Sequence, residues 1–374
     1  MSSFNRIHSS HSTPRGAPAR AGAPFSRTHV GIALASVLLL GAFAQANAAQ
    51  DQPLPPVPDY GPNLERFDYP YKVGQFNLVS QGQQLTMAYM DIWPQNPNGQ
   101  TVVLMHGKNF CGATWEGTIR ALTADGYRVV VPDQIGFCKS SKPQAYQFSF
   151  HQLAANTNAL LDMLDIDRAV IMGHSMGGML ASRYALTYPD QVDALVMVNP
   201  IGLEDWKAKG VPYRSIDQWY QSELKANAAG MKKYQQSTYY AGNWEQGYDK
   251  WVLMAAGMLE GEGRERVAWN QALTYDMIYT QPVVHEFGQI RVPTLLLIGE
   301  QDTTAPGKDA AAPEVAKTLG NYRELGPATA QAIPGARLVT YPELGHSPQI
   351  QDPQRFHRSL LDGLKTMAPQ RSGA

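Results

Sequence analysis

From about residue 75 onward the chain alternates short, continuously apolar runs with longer stretches of helical periodicity. Such runs occupy residues 101–105, 127–131, 169–172, 195–198, 294–298 and 337–341, and 83–93 is a longer one with more polar positions. The six short runs are followed at or near their ends by a turn-forming residue or pair: His106-Gly107, Pro132-Asp133, Gly173, Asn199-Pro200, Gly299 and Pro342. A strand that reads as unbroken Val, Ile and Leu is covered on both faces, as in a parallel sheet with helices on either side. Helical stretches fall between the runs at roughly 112–125, 149–165, 176–188 and 352–367, where crossovers are needed. The expected fold class is therefore α/β, with a doubly wound, mostly parallel sheet.

One interval breaks the rhythm. Between Asn199 and Val292 no strand run occurs, and the segment is rich in helix formers and in aromatics, among them Trp206, Trp219, Trp244, Trp251, Trp269, Tyr239 and Tyr240. A connection of that length without structure of its own is improbable. The expectation is a helical lid over 203–289, inserted into a sheet domain formed by 75–202 and 290–368. The lid aromatics serve equally as lid core or as pocket wall.

The N-terminal part is different in kind. Residues 1–29 carry Arg6, Arg15, Arg20 and Arg27 and no acid, an apolar run follows at 30–44, and Ala46-Asn47-Ala48 offers small residues at signal-peptidase spacing. Residues 1–48 read as a secretory signal peptide. The apolar run is shorter than the ~20 residues a spanning helix needs, so no stable membrane insertion is expected after cleavage. The expected location is periplasmic or secreted. Residues 49–74, with Pro53, Pro55, Pro56, Pro58 and Pro62, read as a Pro-rich leader. With 31 basic against 32 acidic side chains and no like-charged run, a nucleic-acid partner is not expected.

The chemistry concentrates at strand ends. Gly173-His174-Ser175-Met176-Gly177 lies between an expected strand and an expected helix, the context a G-x-S-x-G match requires. Gly173 and Gly177 permit a turn tight enough to lift the Ser175 hydroxyl above the sheet. A serine hydroxyl needs a base. Of the nine histidines, His8, His11 and His29 leave with the signal, His106 and His174 belong to backbone turns, His151 and His357 fall in helices, and His285 falls in the lid. His346 remains, on a loop between the last strand and the last helix, where the order Ser, acid, His places it. Asp302, after the 294–298 strand, is the expected acid; Glu300 is its nearest competitor, and Asn199, after the preceding strand, cannot carry the charge. The oxyanion donors are expected to be the backbone N–H groups of Met176 and Lys108, with Asn109 second to Lys108. The Lys108 side chain reads as solvated or salt-bridged. No metal-ligand spacing and no nucleotide-binding glycine pattern is present, so neither metal nor cofactor is expected.

His106-Gly107, Pro132-Asp133-Gln134-Ile135-Gly136, Gly173-His174-Ser175-Met176-Gly177-Gly178, Gly299-Glu300-Gln301-Asp302 and Gly345-His346 occur in the order of the α/β-hydrolase superfamily, which the chain resembles from about 75 to 368. The resemblance is to lidded bacterial serine esterases, C–C hydrolases and cofactor-free haloperoxidases. It implies an eight-stranded sheet with the lid after the sixth strand. It also places Cys111 and Cys138 on loops at the same end of neighbouring strands, where a disulfide is possible.

The function expected from these residues is hydrolysis of a carboxylic ester or lactone, of small to medium size and partly apolar, through an acyl-enzyme. C–C bond hydrolysis or a cofactor-free haloperoxidase activity would use the same three side chains. A non-catalytic ligand-binding receptor on the same scaffold is the reading outside catalysis.

Overall fold

The computed structural model describes residues 53–367; the expected signal peptide at 1–48 lies outside them. Eight strands form one sheet in the order β1-β2-β4-β3-β5-β6-β7-β8. They are β1 Val73–Ser80, β2 Gln83–Ile92, β3 Thr101–Met105, β4 Arg128–Pro132, β5 Ala169–His174, β6 Val192–Val198, β7 Thr294–Gly299 and β8 Arg337–Tyr341. β1 and β2 are antiparallel to each other, and β2 is antiparallel to β4; every pairing from β4 through β8 is parallel.

The central strands β3, β4, β5 and β7 are the unbroken apolar runs, and nearly every residue in them is buried. Helices cover both faces: α1 Glu116–Ala124, α2 Phe150–Met163 and α3 Met176–Thr187 act as crossovers in the first half. Core side chains divide between the faces, with Val103, Ile171 and Leu296 in one cluster and Val102, Val170 and Leu297 in the other. That split is the two-residue period of each strand presented to two helical layers.

Between β6 and β7 the chain forms α4 Ile216–Glu223, α5 Ala228–Tyr234, one π-helical turn Gln235–Tyr239, α6 Asp249–Gly257 and α7 Arg264–Thr280. Ser215 opens α4 with a capping box to Gln218. Helix α8 Tyr322–Ala332 lies between β7 and β8, and α9 Pro353–Met367 closes the described part. Among the described residues no helix is long and apolar enough to cross a membrane.

Two departures from the sequence pattern bear on the site. Strand β1 was not foreseen, because it is an edge strand whose positions alternate between half-buried and exposed and so carries no continuous apolar run. It also begins at Val73, inside the segment read as leader. The later part of that segment is packed: Leu64 and Phe67 belong to the core, and the Tyr60 N–H donates to the Gly257 carbonyl at 3.0 Å. These residues therefore seat themselves on both the sheet domain and α6.

Candidate active site

The C-terminal ends of the parallel strands collect the expected residues. Ser175 follows β5 directly and starts α3 with φ 58°, in the left-handed region that a side chain rarely adopts. The backbone stays there because it is tied on both sides. The Ser175 N–H donates to the Val198 carbonyl at 3.1 Å, and the Ser175 carbonyl accepts from Gly178 and Ile201. Glycine is required around it: a Cβ on Gly173 would strike the Gly177 carbonyl, and one on Gly177 would strike the Met105 carbonyl.

The loop after β3 passes against the serine. A Cβ on Gly107 would come within 2.8 Å of the Ser175 Cβ, so the backbone at residue 107 runs beside Ser175. Among the described residues, the N–H groups of Lys108 and Met176 donate to no protein acceptor. This is the state expected of donors kept for an external oxygen.

His346 and Asp302 form a fully buried pair. Nδ1–H of His346 donates to Asp302 Oδ2 at 2.5 Å, and Nε2 of His346 is buried without a hydrogen-bond partner. Asp302 is held further by the Thr304 N–H on Oδ1 at 2.8 Å and by Asn199 Nδ2 on Oδ2 at 3.0 Å. Glu300 turns elsewhere, to Arg323 at 3.2 Å. His174, next to Ser175, donates from Nε2 to the His346 carbonyl at 2.8 Å, and the two rings lie 4.8 Å apart. Burial, and then the proximity of His346, hold the His174 imidazole well below the ordinary histidine range, so it remains a neutral donor. The serine and the histidine loop are thus joined through one intervening residue. His106 is committed within the fold as well: its ring faces the Gly107 carbonyl, and it accepts from the Gln134 N–H at 3.0 Å.

Three roles were not legible in the sequence. Asn199, rejected as the acid, is fully buried at φ 34° and instead holds the Asp302 carboxylate, exchanging two further bonds with the Gly299 carbonyl and N–H. Tyr239, from the π-helical turn, stacks on His346 at 4.8 Å and accepts a bond from Asn109 Nδ2 at 2.8 Å. It therefore links the histidine loop to the loop carrying Lys108. Of the two states expected of the Lys108 side chain the structure shows the salt-bridged one, but its burial was not expected: Nζ lies 3.5 Å from Glu223 and 3.7 Å from the centre of the Tyr275 ring. Burial lowers its pKa, and the Glu223 carboxylate opposes that shift.

Cys111 and Cys138 are joined in a disulfide, which anchors the segment after Phe110 to the loop after β4. His106, Asp133 and Cys138 each bring one ligand atom within 4.8 Å of the others, but all three are committed. Cys138 is in the disulfide, the His106 Nε2 lone pair is used, and Asp133 accepts from Gly112, Tyr69 and Lys139. The other aromatics of the β6–β7 segment mostly pack on one another, as Tyr240 does with Trp244 and Tyr248.

Residues 100–353 match the model of the alpha/beta hydrolase fold family. Over 82% of its length the chain is similar to 99% of a crystallised protein from Pseudomonas aeruginosa PAO1, described as a probable hydrolytic enzyme, with 62% identity and a TM-score of 0.82. It is 27% identical to a Pseudomonas syringae protein with a provisional carbamate hydrolase name, RutD, over 73% of this chain and 96% of that one. An enol-lactonase from Burkholderia xenovorans shares the fold at 22% identity and a TM-score of 0.57, over 78% of this chain and all of the other.

Proposed function

Because the chain belongs to the alpha/beta hydrolase fold family, we propose that it is a serine hydrolase that cleaves a carboxylic ester or lactone through an acyl-enzyme on Ser175. His346 Nε2 takes the proton from Ser175 Oγ as the oxygen attacks the carbonyl carbon. The N–H groups of Met176 and Lys108 receive the oxyanion. Collapse of the tetrahedral intermediate breaks the bond to the alcohol, which leaves with the proton from His346. Water, deprotonated by the same ring, then releases the acid. Asp302 fixes the tautomer with Nδ1 protonated and stabilises the transient imidazolium, and Asn199 and Thr304 orient its carboxylate.

The observation that carries this reading is a buried histidine with Nδ1 committed to a buried carboxylate and Nε2 left without a partner, its carbonyl bonded to His174, the neighbour of a serine on a strained strand-to-helix turn. Histidine and serine hydroxyl need not be in contact before substrate arrives, since such bonds are often long in the empty site. The test is labelling of the purified protein with a fluorophosphonate probe, with p-nitrophenyl ester hydrolysis measured in parallel. Wild type is expected to label at Ser175, and Ser175→Ala to lose both labelling and turnover. A wild-type protein that folds but does not label refutes the assignment.

The helices between β6 and β7 act, on this reading, as a lid whose Tyr239 roofs His346. Export to the periplasm or the medium is part of the proposal. It is supported by the basic-then-apolar N-terminal residues and by a disulfide that an oxidising compartment would preserve.

A further inference from the structure

The side chain of Lys108 has no part in the reaction above, although its backbone does. It is a buried ammonium, 6% exposed, whose Nζ makes no hydrogen bond. The nearest carboxylate oxygen, on Glu223, is 3.5 Å away, longer than the ~2.7–2.9 Å of a charge-assisted bond. The face of Tyr275 at 3.7 Å, backed by Trp219 stacked at 4.0 Å, stabilises the charge but accepts no proton bond. The buried cation is thus paired with a carboxylate only at long range, an arrangement that a better-placed acceptor would improve.

The side chain borders a chamber. Lys108 lines a narrow cavity of about 40 Å³, walled by the Cys111–Cys138 disulfide, Phe137, Met254, Met258, Leu259 and Val267. Those walls are mostly apolar; Asn109, Glu223 and Gln271 are the other polar residues on them. Glu223, at the end of α4, also borders the adjoining outer cleft, and its side chain keeps 18% exposure. It can therefore swing outward while Lys108 cannot.

Resting on the serine-hydrolase reading, we infer that Lys108 Nζ is a specificity group for an ester or lactone whose acyl part carries a second, anionic carboxylate, and that Glu223 is a stand-in for that carboxylate in the empty site. The leaving alcohol belongs beside His346, which protonates it. The acyl chain is then the part that reaches past residue 108 into the chamber, and the ammonium lies one lysine side chain from the N–H that holds its carbonyl. An entering carboxylate supplies the acceptors Nζ lacks and displaces Glu223 toward the cleft. Met and Phe walls accommodate the methylenes between.

The test compares kcat/KM for monoethyl glutarate and ethyl valerate, followed by acid release in a pH-stat, with monoethyl succinate and adipate to find the chain length. Wild type is expected to favour a hemi-ester by about tenfold or more, the discrimination of one charge-assisted hydrogen bond. Lys108→Met is expected to lower that ratio by about tenfold; the ratio, taken within each variant, is independent of any general loss of turnover. Glu223→Gln is expected to keep or raise it. A second measurement on wild type alone guards against misfolding: glutarate, and not valeramide, should protect Ser175 from fluorophosphonate. A wild type that prefers the neutral ester, a ratio unmoved by Lys108→Met, or a Glu223→Gln ratio that collapses to that of Lys108→Met overturns the inference while leaving the serine-hydrolase reading intact. Failure of wild type to label at all removes the underlying reading instead.

Discussion

Replacing Asn199 should damage both stability and turnover, and the structure sets the size. Its amide makes three buried bonds, donating to the Gly299 carbonyl and to Asp302 Oδ2 and accepting from the Gly299 N–H. In Asn199→Ala the bond to a charged carboxylate goes, a loss of about 1.5–3 kcal/mol, and the Gly299 N–H is left buried and unpaired, another ~1–3 kcal/mol. Alanine at φ 34° adds about 1–2 kcal/mol of backbone strain. These terms overlap, because the same local relaxation relieves all of them, so the expected loss is roughly 3–5 kcal/mol. Asn199→Gly removes the same bonds without the strain and should be about 1 kcal/mol less harmful. Urea denaturation at constant m reads both numbers. Asp302 keeps His346 and Thr304 as partners, so turnover should survive at a reduced level, with kcat falling and KM for a neutral ester nearly unchanged. Asn199→Ala within about 0.5 kcal/mol of wild type, the range of ordinary surface substitutions, and with kcat intact would refute the positioning role. Equal stability of the Ala and Gly variants would refute the strain argument.

Two further outcomes follow from buried groups. Opening the Cys111–Cys138 disulfide, with its sequence separation of 27, releases a loop whose chain entropy corresponds to about 3–4 kcal/mol; the reduced protein should unfold at lower urea, and an unmoved midpoint would contradict this. His357, whose ring bonds to Thr118, is lowered by burial from 6.5 to about 4. The unfolded chain takes up this proton near pH 6.5 and the folded chain only near 4, so the contribution is present above 6.5 and lost as pH falls toward 4. His357→Gln should accordingly lose less stability than wild type between pH 7 and 4.5, by roughly 2–3 kcal/mol; parallel acid profiles would count against it.

The central strands and Ser175 were legible because both are written in local sequence: unbroken apolar runs mean two-sided burial, and paired glycines mean a tight turn. His346 was reached by elimination and by its place between the last strand and the last helix. What escaped reading depends on contacts between distant segments. Asn199 directly follows β6 beside β7, where Val198 pairs with Leu297, and only that register brings its amide to Asp302. Tyr239 is one aromatic among many until the π-helical turn lays it on His346. Lys108 could be read for its backbone, since the strand end fixes where that goes, but the burial of its side chain is decided by α4 and α7 closing over it.

The backbone of the site carries a common physical signature. Among the described residues seven non-glycine positions have positive φ, and four of them are Cys138, Ser175, Asn199 and Ala241. Ser175, Asn199 and Cys138 follow the ends of β5, β6 and β4, while Ala241 lies near Gly345, where a Cβ would come within 3.0 Å of the Ala241 N. Each such conformation costs on the order of 1–3 kcal/mol and persists only where its surroundings over-determine it. Those surroundings can be named: the disulfide fixes Cys138, neighbouring-strand bonds fix Ser175, and the Gly299 exchange fixes Asn199. Ala241 follows Tyr240, which is stacked on Tyr248. The restraints differ in chemistry, but each holds one loop at the same end of the sheet. Loosening any one of them should therefore relax its loop toward ordinary backbone geometry, and disturb a site whose donors must already be in place when substrate arrives.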